Sequence, residues 1–378
     1  MSPQTEVQSQ DSRKNEALFI AFGALVDLAS RLASPQVVLP WIYSLIGGPL
    51  YLFGFLIPSV RMGSIASQLA AVAILEAMSV RKWLTVMACA AVSGLLMLIT
   101  LAVLELPVAA ATALFFFSVL GFGACNGIVQ LTSQDVMAKT IHHDRIGGLI
   151  AIQSSLGGAL TLVLVIAVIF INPQPNSETR HLVMIVAAAV VWMLAAFAVS
   201  RVTEQPKHYR STVSPWSRLR QGLRLYRKNQ WFRRYTATRI LYLSVGLAMP
   251  FYSIHAATVY KGASQSLTIF IIFVGAANMC SGLVWRRFLK RDPREVLVCA
   301  GILAAVAGGL ALLEGLFHHW PIPVAYAFVM ALLALSVEGL TQASKTYVAL
   351  LSPGPERPLF IAANNTILGI FAVGLSGA

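Results

Sequence analysis

The sequence predicts an all-α, polytopic membrane protein of two pseudo-symmetric six-helix bundles, the second lacking its last helix. Composition, a succession of apolar runs and the placement of basic residues carry this prediction. Charged residues make up 11% of the 378 residues and hydrophobic residues 57%, with a mean hydropathy of +0.73. A water-facing domain carries about 25% charged residues. Apolar runs of about 18 residues or more read as membrane helices. Eleven such spans follow one another: 16–46, 49–77, 83–103, 108–136, 148–171, 182–200, 235–258, 265–285, 295–316, 322–350 and 359–378.

Residues 1–15 form a polar tail, and the first bundle covers 16–200. The first span holds Asp27, Arg31, Pro35 and Pro40. It lacks the short apolar region and small-residue cleavage site of a signal peptide, so it reads as an uncleaved helix. Residues 201–234 form a basic linker, and 235–378 the second bundle. The last span ends at Ala378 without a polar cap. Its final carbonyls would lack partners, so a twelfth span is expected beyond it.

With the N-terminus in the cytoplasm, the loops on that side hold 23 lysines and arginines, and the opposite loops only Arg180 and Lys261. Basic residues collect on the cytoplasmic side of membrane proteins, so this asymmetry predicts a multi-pass protein of a cytoplasmic, inner-type membrane. It also accounts for the net charge of +13 without a nucleic-acid partner. The linker stretch from Trp216 to Arg227 places Trp216, Leu219, Leu223 and Tyr226 on one helical face with arginines between. Such a helix suits anionic lipid headgroups, and it also serves as a plain positive-inside signal. The four cysteines, Cys89, Cys125, Cys280 and Cys299, lie in apolar spans without metal-ligand spacing.

The halves repeat. An offset of 212 residues takes Asn126 to Glu338, Gln130 to Gln342, Arg145 to Arg357 and Gly157 to Gly369. Val38-Leu39-Pro40 in the first span parallels Ala248-Met249-Pro250 in the seventh. Duplicated units of this kind are the usual architecture of secondary transporters, with the substrate site between the halves. On these features the chain resembles the major facilitator superfamily over essentially its whole length. That family's loop signature after the second span is degenerate here. In Ala73-Ile74-Leu75-Glu76-Ala77-Met78-Ser79-Val80-Arg81-Lys82 the basic pair is present, the acidic residue is shifted by one and both glycines are missing.

The resemblance implies that the third, sixth and ninth spans face lipid and the others surround a cavity. Ionisable groups in hydrocarbon are costly, and residues 83–103, 182–200 and 296–313 carry no charge or amide, with Glu314 following near the outer end of the ninth span. The polar residues fall in the other spans. They give the candidate substrate-binding set Asp27, Arg31, Arg61, Gln68, Asn126, Gln130, Gln153, Arg239, Asn278, Glu338, Gln342, Asn364 and Asn365.

Asp27 and Arg31 are spaced i,i+4 and share a helix face, as a site with its own counter-charge or as a structural ion pair. Arg61 needs an anionic ligand, water or a partner such as Asp27 or Glu338. Glu338, read as a lone buried carboxylate, shares a face with Gln342. Desolvation favours the neutral form of a carboxylate, so Asp27 and Glu338 are the proton-coupling candidates, with interhelical bonding and substrate contact as alternatives for Glu338. Asn126, Gln130 and Gln134 form a stripe that either lines a cavity or joins helices. Pro35, Pro40, Pro58 and Pro250 are expected to kink spans, and Gly157-Gly158 and Gly308-Gly309 to allow close packing. The pairs His142-His143 and His318-His319 do not share helix faces, and no metal is expected. No phosphate loop or hydrolase elbow occurs, so no cofactor and no enzymatic activity are expected.

The expected function is secondary transport of a small anionic or zwitterionic solute by alternating access, with a monomer as the working unit. A transport-inactive sensor or scaffold of the same fold, and a membrane-embedded transferase, are the competing readings.

Overall fold

A computed structural model describes residues 3–35, 38–171, 178–206, 215–259, 264–316, 323–352 and 356–376. Among them the regular structure is helical throughout. The first span is α1 (Pro3–Leu32) followed by α2 (Val38–Ile46), and α1 runs unbroken out of the polar N-terminal residues. Pro35 marks the break, so the expected single helix is two. A proline ring disfavours helical backbone in the residue before it, and Pro40 falls in the first turn of α2, where proline is tolerated. Gly47 follows α2 with φ of 71°, a left-handed turn that favours glycine. The second span opens as a 3-10 helix (Leu50–Phe55) and continues as α3 (Leu56–Ala77).

The first bundle continues with α4 (Lys82–Glu105), α5 (Val108–Thr140), α6 (His143–Ile171) and α7 (Glu178–Ser200). The linker helix is α8 (Pro215–Lys228). The second bundle comprises α9 (Gln230–Val259), α10 (Ser264–Arg291), α11 (Pro293–Leu316), α12 (Pro323–Leu351) and α13 (Arg357–Ser376). Six of these helices are long and apolar enough to cross a membrane.

The helices predicted to face lipid carry exposed apolar side chains, Met87, Leu101 and Leu104 on α4, Val190, Met193 and Phe197 on α7, and Val298, Ile302 and Leu312 on α11, as do other helices through Phe117, Leu241 and Leu283. The bundles meet along α6 and α10 and along α3 and α13. Two small residues make the first approach possible. Gly158 lies against the backbone of Asn278 and Met279, and Gly282 against the carbonyl of Ala151. Gly309 has no atom within 4 Å of an added Cβ, and one on Gly308 would meet only Tyr252 Oη at 3.4 Å, so the second glycine pair does not bring two backbones together as Gly158 does.

The ends of the bundles that carry the basic residues interlock. Ala71 and Leu75 of α3 and Leu131 of α5 share one apolar cluster with Phe232 of α9, Tyr347 of α12 and Phe360 of α13. The linker helix packs there too, with Gly222 against Ala363. The side chains of Trp216, Leu219 and Leu223, which would meet headgroups, lie outside the described residues, as do His318 and His319.

The degenerate loop after the second span retains an electrostatic role. Arg81 pairs with Asp135 at 2.7 Å, and Lys139 lies 3.4 Å from Asp135 and 3.5 Å from Glu204. Lys82 donates to the carbonyls of Ser200 and Val202 at 2.8 and 2.7 Å. The loop is thereby tied to α5 and to the start of the linker.

Replacing Gly158 by leucine should force α6 and α10 apart and destabilise the chain by about 1–3 kcal/mol, the ordinary cost of overpacking. Gly309→Leu should change thermal stability in detergent by less than about 0.5 kcal/mol. Equal effects of the two substitutions would contradict this account of the bundle contact.

Candidate functional site

The site begins with α1. Its i,i+4 pair forms as the spacing predicts: Arg31 donates to Asp27 Oδ2 at 3.0 Å through Nη2 and 3.3 Å through Nε. The same Nη2 also reaches Glu338 Oε1 on α12 at 2.5 Å. The other Glu338 oxygen accepts from Ser154 Oγ of α6 at 2.7 Å. Glu338 is therefore not a lone carboxylate. One guanidinium is shared by two carboxylates from opposite bundles, with side chains 22% exposed for Arg31, 31% for Asp27 and 16% for Glu338. Removing one partner of a buried ion pair costs about 3–5 kcal/mol because the other charge stays buried and unpaired.

Asp27, Glu338 and Ser154 of this cluster line a cavity of about 230 Å³ between α1, α5, α6 and α12, and Arg31 stands behind the two carboxylates. Asp27, Asn126, Gln130, Gln153, Glu338 and Gln342 all line it. The amide stripe of α5 thus faces the void through Asn126, Gln130 and Gln134. Pairs related by the 212-residue offset, Asn126 with Glu338 and Gln130 with Gln342, face the same space from α5 and α12. Gln153 is fixed by donating to the Phe19 carbonyl at 2.6 Å. Gln342 donates to Ser281 Oγ at 3.2 Å, and its own Oε1 is buried without a partner.

Lys345 and Ser154 are among the lining residues that were not candidates. Lys345 lies exposed on α12, seven residues after Glu338, and acts electrostatically on both Asp27 and Glu338. Its i,i+7 spacing from Glu338 was the available signal, obscured by grouping it with the loop cations. Ser154 left no signal in the sequence, since serines are common in spans.

The other candidates lie elsewhere. Arg61 pairs with neither Asp27 nor Glu338; it is exposed and within electrostatic reach of Arg239. It stands one turn from Ile65, which meets Gly369 of α13, so this face of α3 looks onto the second bundle. Arg239 donates to Ser344 Oγ at 2.6 Å, and its Nε is buried without a partner. One turn away, Thr236 donates to Asn364 at 3.3 Å, and Asn364 to Asn365 at 3.5 Å. Gln68 is buried, donates to Ser64 Oγ at 3.3 Å, and leaves Oε1 unpartnered. Arg61 and Arg239 are thus related across α3 and α9, Asn364 and Asn365 of α13 are tied to α9 through Thr236, and Gln68 bonds within α3, all away from the cavity. Asn278 belongs neither with these nor with the cavity: it is buried where α10 meets Gly158. Rotation about each helix axis decides this partition, and a list of polar residues does not contain it.

No family model matches the sequence. Uncharacterized proteins of Mycobacterium bovis and Mycobacterium tuberculosis are 23% identical over 371 residues, covering 95% of this chain and 70% of theirs. Among solved structures, the proton:xylose symporter XylE aligns over 98% of this chain and 88% of its own with a TM-score of 0.72 at 13% identity. A bacterial homologue of the iron transporter ferroportin, in an outward-facing state, aligns over 96% and 91% with a TM-score of 0.71 at 13% identity. The human organic anion transporter TETRAN aligns over 98% and 92% with a TM-score of 0.62 at 15% identity. The chain has the fold of major facilitator superfamily transporters, a multi-pass membrane architecture.

A hydrated cavity predicts a clear contrast in thiol chemistry. In a cysteine-free background, Gln130→Cys should react with a water-soluble maleimide at least roughly tenfold faster than Leu310→Cys on the outward face of α11, since the thiolate forms in water and not in lipid. Equal rates would mean that Gln130 does not face water.

Proposed function

We propose that this chain, with its transporter fold, is a secondary transporter that carries a small anionic or zwitterionic solute by alternating access, with Asp27 and Glu338 as proton-coupling groups. The observation that carries this reading is that Asp27 of the first bundle and Glu338 of the second, which share Arg31, both line one cavity. A proton on Glu338 removes its charge and weakens its hold on Arg31, leaving the guanidinium to Asp27 and loosening a contact between the bundles. A solute carboxylate or phosphate that takes over Arg31 has the same effect. Coupling of this kind requires differential interaction with two conformations, and a shared counter-ion supplies it.

Arg61 and Arg239 support the anionic character of the solute. They come from opposite bundles, and neither forms an ion pair with a carboxylate among the described residues. The distribution of lysine and arginine supports a cytoplasmic position for the basic ends of the bundles.

Flux into proteoliposomes across an imposed pH gradient, over a panel of small anions and zwitterions, tests this. For a transported solute, Glu338→Gln should abolish the response to the gradient while leaving exchange at equal pH. Arg61→Ala should raise KM by about 10–100-fold, the loss of a charge-assisted hydrogen bond worth about 1.5–3 kcal/mol. Wild-type rates in both variants would remove the proposed site. No flux for any solute would favour a sensor of the same fold.

A further inference from the structure

A second concave site lies at the basic end of the second bundle, away from the polar cavity. It is a groove of about 430 Å³ between α9, α11 and α12. Its floor is aromatic and fixed. Tyr235 stacks on Tyr347 with ring centroids 4.9 Å apart, and its hydroxyl donates to the Ser344 carbonyl at 3.1 Å. The Tyr242 hydroxyl donates to the Leu297 carbonyl at 2.8 Å. Both phenol donors are therefore occupied. Trp231 stacks on Phe360 at 5.3 Å, which holds the indole in place.

The rim is cationic. Arg234 and Arg294 both line the groove and both are exposed. Neither guanidinium has a carboxylate partner among the described residues, and no aspartate or glutamate lines the groove. Arg294 lies 5.7 Å from the Tyr347 ring centroid, over its face. The outer wall is apolar and continues along the lipid-facing side of α11, through Val298 at 58% exposure to Ile302 at 60% one turn further. Paired arginines offer planar donors that match a phosphate. Tryptophan and tyrosine favour the membrane interface, and basic pockets between spans hold anionic headgroups.

We propose that this groove binds the headgroup of an anionic phospholipid, with the phosphate between Arg234 and Arg294, the glycerol region over Trp231 and Tyr242, and an acyl chain along Val298 and Ile302. The continuous apolar wall is what selects a lipid over a free phosphate, because only a chain-bearing anion gains contacts along α11. The proposal rests on the chain lying in a bilayer with this end at a headgroup layer, and not on the identity of any transported solute.

The full chain, purified in detergent and titrated with phosphatidylglycerol or phosphatidylethanolamine, is read by native mass spectrometry. Phosphatidylglycerol should be retained in preference. The Arg234→Gln/Arg294→Gln variant should bind it about 25-fold more weakly, roughly fivefold for each arginine near an anionic surface. Arg286→Gln/Arg287→Gln removes the same charge from the same end outside the groove and should bind as the wild type does. Equal retention of the two lipids, or equal losses in the two double variants, would overturn the proposal. Displacement of the lipid by an equal concentration of inorganic phosphate would also overturn it and leave a soluble-anion site. Flux measured in parallel separates the readings: lipid selectivity without transport would sink the transporter and spare the groove, and the converse result would do the opposite.

Discussion

The arrangement depends on one half-buried cation. Arg31 carries a charge that hydrocarbon does not tolerate alone, and its partners come from both bundles. Asp27 comes from its own helix and Glu338 from α12, and Ser154 of α6 completes the hydrogen bonding of Glu338. Two carboxylates against one guanidinium leave an excess negative charge, which Lys345 offsets from the cavity side. A charge group that closes across an interface in this way stabilises one relative position of the bundles.

Packing at Gly158 and Gly282 and the apolar cluster at the basic ends hold the bundles close enough for Arg31 to reach across. The network of Arg81, Asp135, Lys139 and Glu204 keeps the first bundle and the linker together at the same end. Asp135 is fully buried yet retains an oxygen without a partner, and Arg357 of α13 retains a buried Nε nearby.

Much of the fold was legible because a bilayer imposes simple rules. Apolar run length marked the spans, and the absence of charge in three of them marked the helices whose apolar side chains now face outward. The 212-residue offset foreshadowed that Asn126 and Glu338, and Gln130 and Gln342, would face one void. Helix rotation was harder to read. Arg61 and Arg31 are both mid-span arginines, and no spacing argument shows that Glu338 meets Arg31 and that Arg61 faces Arg239. The break at Pro35 was also underestimated, because proline in a membrane span either kinks a helix or ends it, and sequence does not separate the two outcomes.

The central claim is that Arg31 couples the bundles through Glu338, and a double-mutant cycle on thermal stability tests it most directly. Arg31→Gln, Glu338→Gln and the double variant are compared with the parent chain in the same detergent. Each single change should be strongly destabilising, and the pair should be non-additive, with an interaction energy of about 1–3 kcal/mol as expected for residues in contact. Simple additivity, within about 0.5 kcal/mol, would mean that the two side chains do not act on each other and would contradict the account.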